Sequence, residues 1–454
     1  MPTKSSWSNS SHSVKPTKIV AIIGMGPSGL ILARSCLALY EVKEVHLFDS
    51  RASYTRQQVV ILQPPALSSM SLRSVNEVMK KGCDVGINPG QSLHAVCQKP
   101  KQQTSKLISI KLKDLEDILY KDLFRDDIPE GFRDFLYVDK PRRGKLVIHR
   151  PSTITQFHPK KNELIYSQGK TSTSLKYHYL FLAVGGGIIR KLVFQPNHPP
   201  SSVQSDNHAL LTLLRNGNAQ VYQHTTHPPI HWKLIRHQKN KTKREFGGLT
   251  FPQNKEQFRV RMLPTKNGSV YVALQMSRAE QQQLSLLHQH MNRFLKWSGR
   301  HACFKANGQT KNKNCTVLNS STFTPFTHMA RSVLPKFPNI ALAGDASQTK
   351  HPFSGESLSQ SIKKLDGMVD RMWSFWTTGN PGSKTSLVSW SSPNIPFSEK
   401  LIRHHPNHWN PQCLHVNNEN QNECQLFWRR DHRLIQTPLQ KPKVIRQKRH
   451  KHKH

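Results

Sequence analysis

The chain has 454 residues, enough to bury a large core and to hold two domains with tails. Lysine and arginine number 66 against 27 acids, a net charge of +39 that is extreme for a metabolic enzyme and points to an acidic partner: nucleic acid, an anionic membrane surface or an acidic protein. A lineage whose proteins are basic throughout would give the same balance. No apolar run reaches the length of a transmembrane helix. The seven cysteines (Cys36, Cys83, Cys97, Cys303, Cys315, Cys413 and Cys424) form no CxxC pair, so free thiols in a reducing, cytoplasmic setting are expected rather than a disulfide framework.

Residues 1–17 are Ser-rich and basic, lack an apolar stretch and read as a disordered lead. Lys18–Asp49 then gives KIVAIIGMGPSGLILARSCLALYEVKEVHLFD. An apolar run, Ile19–Ile23, leads into Gly24, Gly26 and Gly29; a helix-compatible segment and a second apolar run, Val45–Phe48, end on Asp49. This is a βαβ unit with an adenine-dinucleotide fingerprint. Gly24 permits the tight turn out of the strand, Gly26 lets a pyrophosphate approach the backbone, and Gly29 lets the helix pack close. The helix N-terminus offers free N–H groups to the phosphates. Asp49, 20 residues after Gly29, is placed to accept hydrogen bonds from the adenosine ribose. The fingerprint alone does not separate NAD from FAD.

Ser50–Leu62 carries Arg51 and Arg56 at the mouth of this site, where arginine stacks on adenine or pairs with phosphate. The spacing of Asp49, Arg51, Arg56, Val59, Leu62 and Pro64 resembles the segment after the second strand of MICAL-type flavin monooxygenases, which lies along the FAD. It departs at Gln58, where that family has Asn, and at Gln63, where it has Trp. Ile108–Leu123 resembles the helix that follows in the same family, with Leu112, Leu115, Ile118, Leu119 and Leu123 on one face.

Phe135–Val138, Lys145–His149, Thr153–Phe157 and Glu163–Ser167 read as strands of one small antiparallel sheet. Tyr177–Val184 is an apolar run that stops at Gly185–Gly187, where related hydroxylases have Asp-Gly. The segment 217–277 is β-rich, with a hairpin turning at Asn267-Gly268, and Ala279–Trp297 reads as an amphipathic helix. A sheet and helix here resemble the substrate domain of single-Rossmann flavin hydroxylases.

Ile340–Leu342 is an apolar strand followed by Gly344-Asp345, then Pro352, Gly355 and a helix starting near Glu356. This order resembles the closing FAD motif of class A flavoprotein monooxygenases. The resemblance implies that Asp345 meets the ribityl chain, that Pro352 and Gly355 shape a loop beside the isoalloxazine, and that the helix N-terminus faces the reduced ring. The family's second glycine is Ser357 here, which makes the loop stiffer.

The expected fold is α/β: an FAD-binding Rossmann-like domain with an inserted antiparallel-sheet substrate domain. Residues 18–190 and 335–378 form the first, 191–334 the second, and 379–454 a linker and tail. The resemblance implies FAD as cofactor and NAD(P)H as transient reductant. It also implies hydroxylation of an unidentified substrate through a flavin C4a-hydroperoxide, with no catalytic side chain assigned. A dehydrogenase or oxidase on the same fold is the nearer alternative. A degenerate flavoprotein acting as a basic scaffold is the more distant one. Residues 429–454 form a basic, His-interleaved arm suited to nucleic acid, anionic lipid or an acidic protein. His404, His405, His408, Cys413, His415 and Cys424 match no closed zinc spacing, and no metal is expected.

Overall fold

The computed structural model describes residues 17–39, 41–63, 66–67, 69–84, 108–124, 144–194, 206–237, 249–250, 259–266, 268–275, 283–297, 302–310, 315–352 and 357–378. In chain order these form β1 (Lys18–Ile23), α1 (Pro27–Leu37), β2 (Val42–Phe48), β3 (Val59–Leu62), α2 (Leu72–Lys81), β4 (Cys83–Asp84), β5 (Ile108–Lys111), α3 (Leu112–Asp122) and β6 (Lys145–His149). Next come β7 (Thr153–His158), β8 (Glu163–Gln168), β9 (Thr171–Lys176), β10 (Tyr179–Leu182), α4 (Gly187–Phe194), α5 (Asp206–Asn216), β11 (Val221–Thr226) and β12 (Ile230–His237). Then follow β13 (Leu249–Thr250), β14 (Arg259–Pro264), β15 (Ser269–Gln275), α6 (Leu284–Trp297), β16 (Cys315–Phe323) and β17 (Phe326–Ala330). The last are β18 (Val333–Leu334), β19 (Phe337–Leu342), β20 (Gln348–Thr349), α7 (Ser357–Lys363) and α8 (Leu365–Thr378).

The main sheet runs β18-β19-β10-β1-β2-β6. All neighbours are parallel except the edge strand β18. Val20–Ile23 of β1 are buried, as a central parallel strand covered on both faces requires. One face packs Val20 and Ile22 against α1, α3 and α8 through Leu30, Leu115, Ile118 and Met372. The other packs Ala21, Ile23 and Leu180 against the β7-β8-β9 meander and the helices α4 and α5. Helix α5, counted with the second domain by its position in sequence, buries Leu210, Leu213 and Leu214 in this first core.

One expected strand changes sheets. Lys145–His149 was assigned to the small antiparallel sheet, but it pairs parallel to β2, from Glu44↔Lys145 to Phe48↔His149. Its apolar pattern marks a strand and is silent on its partner. The meander keeps only β7, β8 and β9.

The second body is an antiparallel sheet, β13-β14-β15-β12-β16. Strand β15 sorts its residues by alternation. Val270, Val272 and Leu274 pack on α6 through Leu287, Met291 and Leu295. Tyr271 and Ala273 face the other way, toward Trp232 and toward Val59 and Ile61 of β3. The predicted hairpin is present, with Gly268 at φ 73°. The closing helix is two segments, α7 and α8, that meet at Lys364.

Cysteine pairing departs from expectation. Cys303 and Cys315 form a disulfide with Cα atoms 5.7 Å apart, while Cys36 is a free thiol. The pair is buried against α6, so tertiary packing brings the two sulfurs together without any CxxC spacing. Pro64, Cys97, Phe135–Val138, Asn267, Gly355, Glu356, Cys413, Cys424, the histidines from His404 to His415 and the arm 429–454 lie outside the described residues, as does all but Thr17 of the lead. Among the described residues no helix is long and apolar enough to cross a membrane.

Candidate functional site

A cavity of about 770 Å³ lies between the main sheet and the inner face of the five-stranded sheet. The glycine-rich loop after β1 forms one wall. Gly24 has φ 104°, and a Cβ there would sit 2.4 Å from the Ala183 carbonyl oxygen, so only glycine fits. A Cβ on Gly29 would sit 1.9 Å from the Gly24 carbonyl oxygen; this position packs the helix onto the loop. Gly26 differs: its nearest neighbour would be Glu116 Oε1 at 4.0 Å. Its open side belongs to the cavity, whose lining includes Gly24, Gly26, Pro27 and Ser28. Gly26 caps α1, Pro27 opens it, and no side chain caps the first turn. The free N–H groups of that turn therefore offer an anion site.

Asp49 ends β2 as expected, yet its chemistry is already committed. A carboxylate has about four lone-pair positions. Oδ1 accepts from the Arg51 backbone N–H at 2.7 Å and from Arg51 Nε at 3.0 Å; Oδ2 accepts from the Met25 N–H at 3.0 Å and from Arg51 Nη2 at 2.8 Å. Burial pushes this carboxyl up, but the Arg51 bonds and charge and the Met25 N–H outweigh it and hold it below the usual range. Within the fold all four positions are met by Arg51 and the Met25 N–H, so Asp49 positions Arg51.

Arg51 also reaches Glu116 Oε1 at 3.2 Å, and its guanidinium lines the cavity. Glu116 on α3 was missed in the sequence. It is fully buried, and burial raises its pKa while Arg51 and Arg56 oppose that shift. The available signal was an acid four residues after Leu112, on the helix face otherwise made of leucines. Arg56 is exposed in the cavity wall, and its charge acts on both Glu116 and Asp345.

The closing motif meets the loop directly. Gly344 has φ 59°, and a Cβ there would lie 2.5 Å from the Ser28 hydroxyl on the first turn of α1. Asp345 follows and opens into the cavity, walled by protein; burial raises its carboxyl pKa and Arg56 works against it. Gly186, in the run that lacks the expected Asp, lies against this motif: a Cβ would be 3.3 Å from the Asp345 carbonyl oxygen and 3.1 Å from Thr349. Pro352 lines the cavity, and its carbonyl accepts Arg261 Nη1 at 2.5 Å. Ser357 accepts the Lys350 N–H at 3.2 Å, which ties the two ends of the closing loop. Gln63 donates its N–H to Ser359 at 3.0 Å, anchoring the second departure to the same helix.

From the five-stranded sheet come three wall residues that sequence reasoning did not single out: Arg261, Tyr271 and Phe323. Arg261 is buried, which lowers its pKa to about 10. Strand alternation predicts which residues face inward but not what they face.

No protein-family model matches the chain, and no curated protein matches it. Solved structures do. p-Nitrophenol 4-monooxygenase PnpA from Pseudomonas putida DLL-E4 is similar over 92% of this chain and 98% of its own, at 11% identity and a TM-score of 0.56. The chain shares the fold of this monooxygenase and of a hydroxylase solved with FAD. Aklavinone-11 hydroxylase, solved with FAD and aklavinone, is similar over 79% of this chain and 63% of its own, at 13% identity and a TM-score of 0.51. A flavoprotein/dehydrogenase from Cytophaga hutchinsonii is similar over 85% and 82%, at 10% identity and a TM-score of 0.52. At such identities the likeness is one of fold.

Proposed function

We propose that this chain is an FAD-dependent oxidoreductase of the class A monooxygenase type, with FAD held in the cavity and NAD(P)H as a transient reductant. One observation carries this: the glycine loop and the Gly344-Asp345 motif, more than 300 residues apart, touch at Ser28 and line one cavity. The residues suit the cofactor. Gly26 leaves space beside the free N–H groups of α1 for a pyrophosphate, and Arg51 and Arg56 add positive charge. Asp345, together with Gly344, is the acceptor for a ribityl hydroxyl. Pro352 and the start of α7 stand at the ring end.

When bound, FAD supplies hydride acceptance and oxygen activation. The chain's own part is placement and exclusion of water. Tyr271 and Phe323 give the substrate compartment an aromatic wall, and Arg261 holds the Pro352 carbonyl against it. No side chain is assigned a catalytic role. The substrate is left unassigned; a MICAL-like enzyme would take a protein methionine side chain. The basic arm 429–454 suits an acidic partner, and a cytoplasmic site of action is proposed with it.

Purified protein is expected to be yellow and to quench added FAD fluorescence; a colourless protein that leaves FAD fluorescence unchanged rejects the assignment. The Cytophaga flavoprotein/dehydrogenase likeness keeps a second reading, oxidation without oxygen insertion. NADPH-dependent oxygen uptake separates them: its absence, with flavin reduction intact, selects the dehydrogenase. Deleting residues 429–454 should abolish binding to DNA or anionic vesicles, and unchanged binding removes the arm from the account.

A further inference from the structure

Charge is unevenly matched in the cavity. Among its described lining residues the acids are Asp49 and Asp345. Arg51 bonds the first, and the charge of Arg56 acts on the second. Two further cations, Arg190 and Lys191, line the same cavity from α4. Among the described residues no acid pairs with either. A cleft lined by one sign of charge concentrates the opposite sign. Space lies beside these cations. A Cβ on Gly185 or on Gly187 would meet nothing within 4 Å, and both glycines line the cavity. This loop carries no acid, so it brings no negative charge of its own.

Position separates this end of the cavity from the place proposed for the cofactor's phosphates. In the main sheet β10 stands between β1 and β19, so α4 starts on the far side of the glycine loop from Asp49 and Arg51. The opening at Gly26 has Arg51 and Arg56 for the pyrophosphate. Arg190 is tied elsewhere: its Nη1 donates to the Thr324 carbonyl at 3.5 Å, and Thr324 follows Phe323 of the aromatic wall. Phe326 lines the cavity beyond it. A guanidinium fork fits a carboxylate or a phosphate, and an ammonium adds a second point of charge. Taking FAD in the cavity as given, we propose that the substrate carries a carboxylate or phosphate, that Arg190 and Lys191 receive it, and that Phe323 and Phe326 flank its apolar part.

The test uses full-length protein, with benzoate and phenyl phosphate as anionic probes and benzamide as the neutral one, all at constant ionic strength. Binding is read twice: from perturbation of the bound flavin's absorbance, and from the rise in melting temperature, which needs no flavin. Both anions should saturate, and benzamide should bind roughly tenfold more weakly or worse. Arg190→Gln with Lys191→Gln should weaken both anions roughly tenfold or more, the loss of charge-assisted bonds, and leave benzamide and FAD affinity where they were. Lys191→Gln alone, at an exposed position, should lose part of this and serves if the double variant does not fold. The proposal falls if neither anion binds, if the variants bind them as wild type does, or if anions and benzamide weaken together. It falls as well if the double variant loses FAD affinity, or slows flavin reduction by NADPH while anion binding holds, because the cations then serve the cofactor or the reductant. A colourless protein whose melting temperature rises with the anions, and does not in the variants, rejects FAD and keeps the anion seat.

Discussion

Gly344 rests on Ser28: a Cβ at 344 would lie 2.5 Å from the Ser28 hydroxyl and 2.8 Å from its Cβ. The last strand of the main sheet thereby docks on the first turn of its first helix. This contact builds one cavity from the two ends of the described chain. It needs glycine twice over, for space and for φ 59°.

Gly344→Ala is expected to cost roughly 1–2 kcal/mol from the left-handed backbone, with the overlap on Ser28 in addition. Calorimetry should show a lower melting temperature, and FAD affinity should fall with it. Adding Ser28→Gly should restore the overlap part and leave the backbone part. Equal stability of Gly344→Ala and wild type would remove the contact from the account.

Arg51 balances two buried acids, so Arg51→Met is expected to cost roughly 2–3 kcal/mol, below the value for a fully buried pair because Arg51 is 28% exposed. The sign with pH follows from Asp49. Its carboxyl lies below 3.8 in the fold, so Arg51 stabilises the protein above that pH and the benefit fades as Asp49 protonates. Denaturant titrations should show the gap between wild type and variant widest at neutral pH and closing in acid.

His149 is buried between His46, Phe48 and Tyr166, and this burial, with His46 nearby, lowers its pKa from 6.5 to about 4. His46 is lowered too, chiefly by burial. The unfolded chain takes up protons near 6.5 while the folded one does not until about 4, so stability should fall as pH drops across that window. The His149 share is roughly 3 kcal/mol, from 1.36 kcal/mol per pKa unit. His149→Gln should flatten the melting-temperature profile between these values. An unchanged slope would locate the acid sensitivity elsewhere.

The Cys303–Cys315 disulfide closes a short loop of separation 12 beside α6. A non-reducing digest should yield the two cysteines in one linked pair of peptides. Cys303→Ser with Cys315→Ser should cost roughly 2–4 kcal/mol in denaturant titration. Separate peptides without reductant would return both to free thiols.

Local rules were legible in the chain itself. The glycine loop, the helix that follows it, the hairpin at Gly268 and the strand before Gly344 each depend on backbone conformations that a few residues impose on themselves. Burial pattern also came through: β1 reads as apolar throughout, β15 as apolar on both faces. What periodicity cannot carry is the identity of the surface on the other side. Lys145–His149 showed a strand and not its partner β2. Asp49 showed an acid in the right place, and only the approach of Arg51 and Met25 in space filled its acceptors. Glu116 looked like one more charge on a helix until folding enclosed it behind Gly26. The sequence by itself determined where the glycine-rich loop and the Gly344-Asp345 turn lie, because those are local demands for glycine. Tertiary structure alone decided which acids find partners inside the fold, because hydrogen-bond saturation depends on groups brought together from distant parts of the chain.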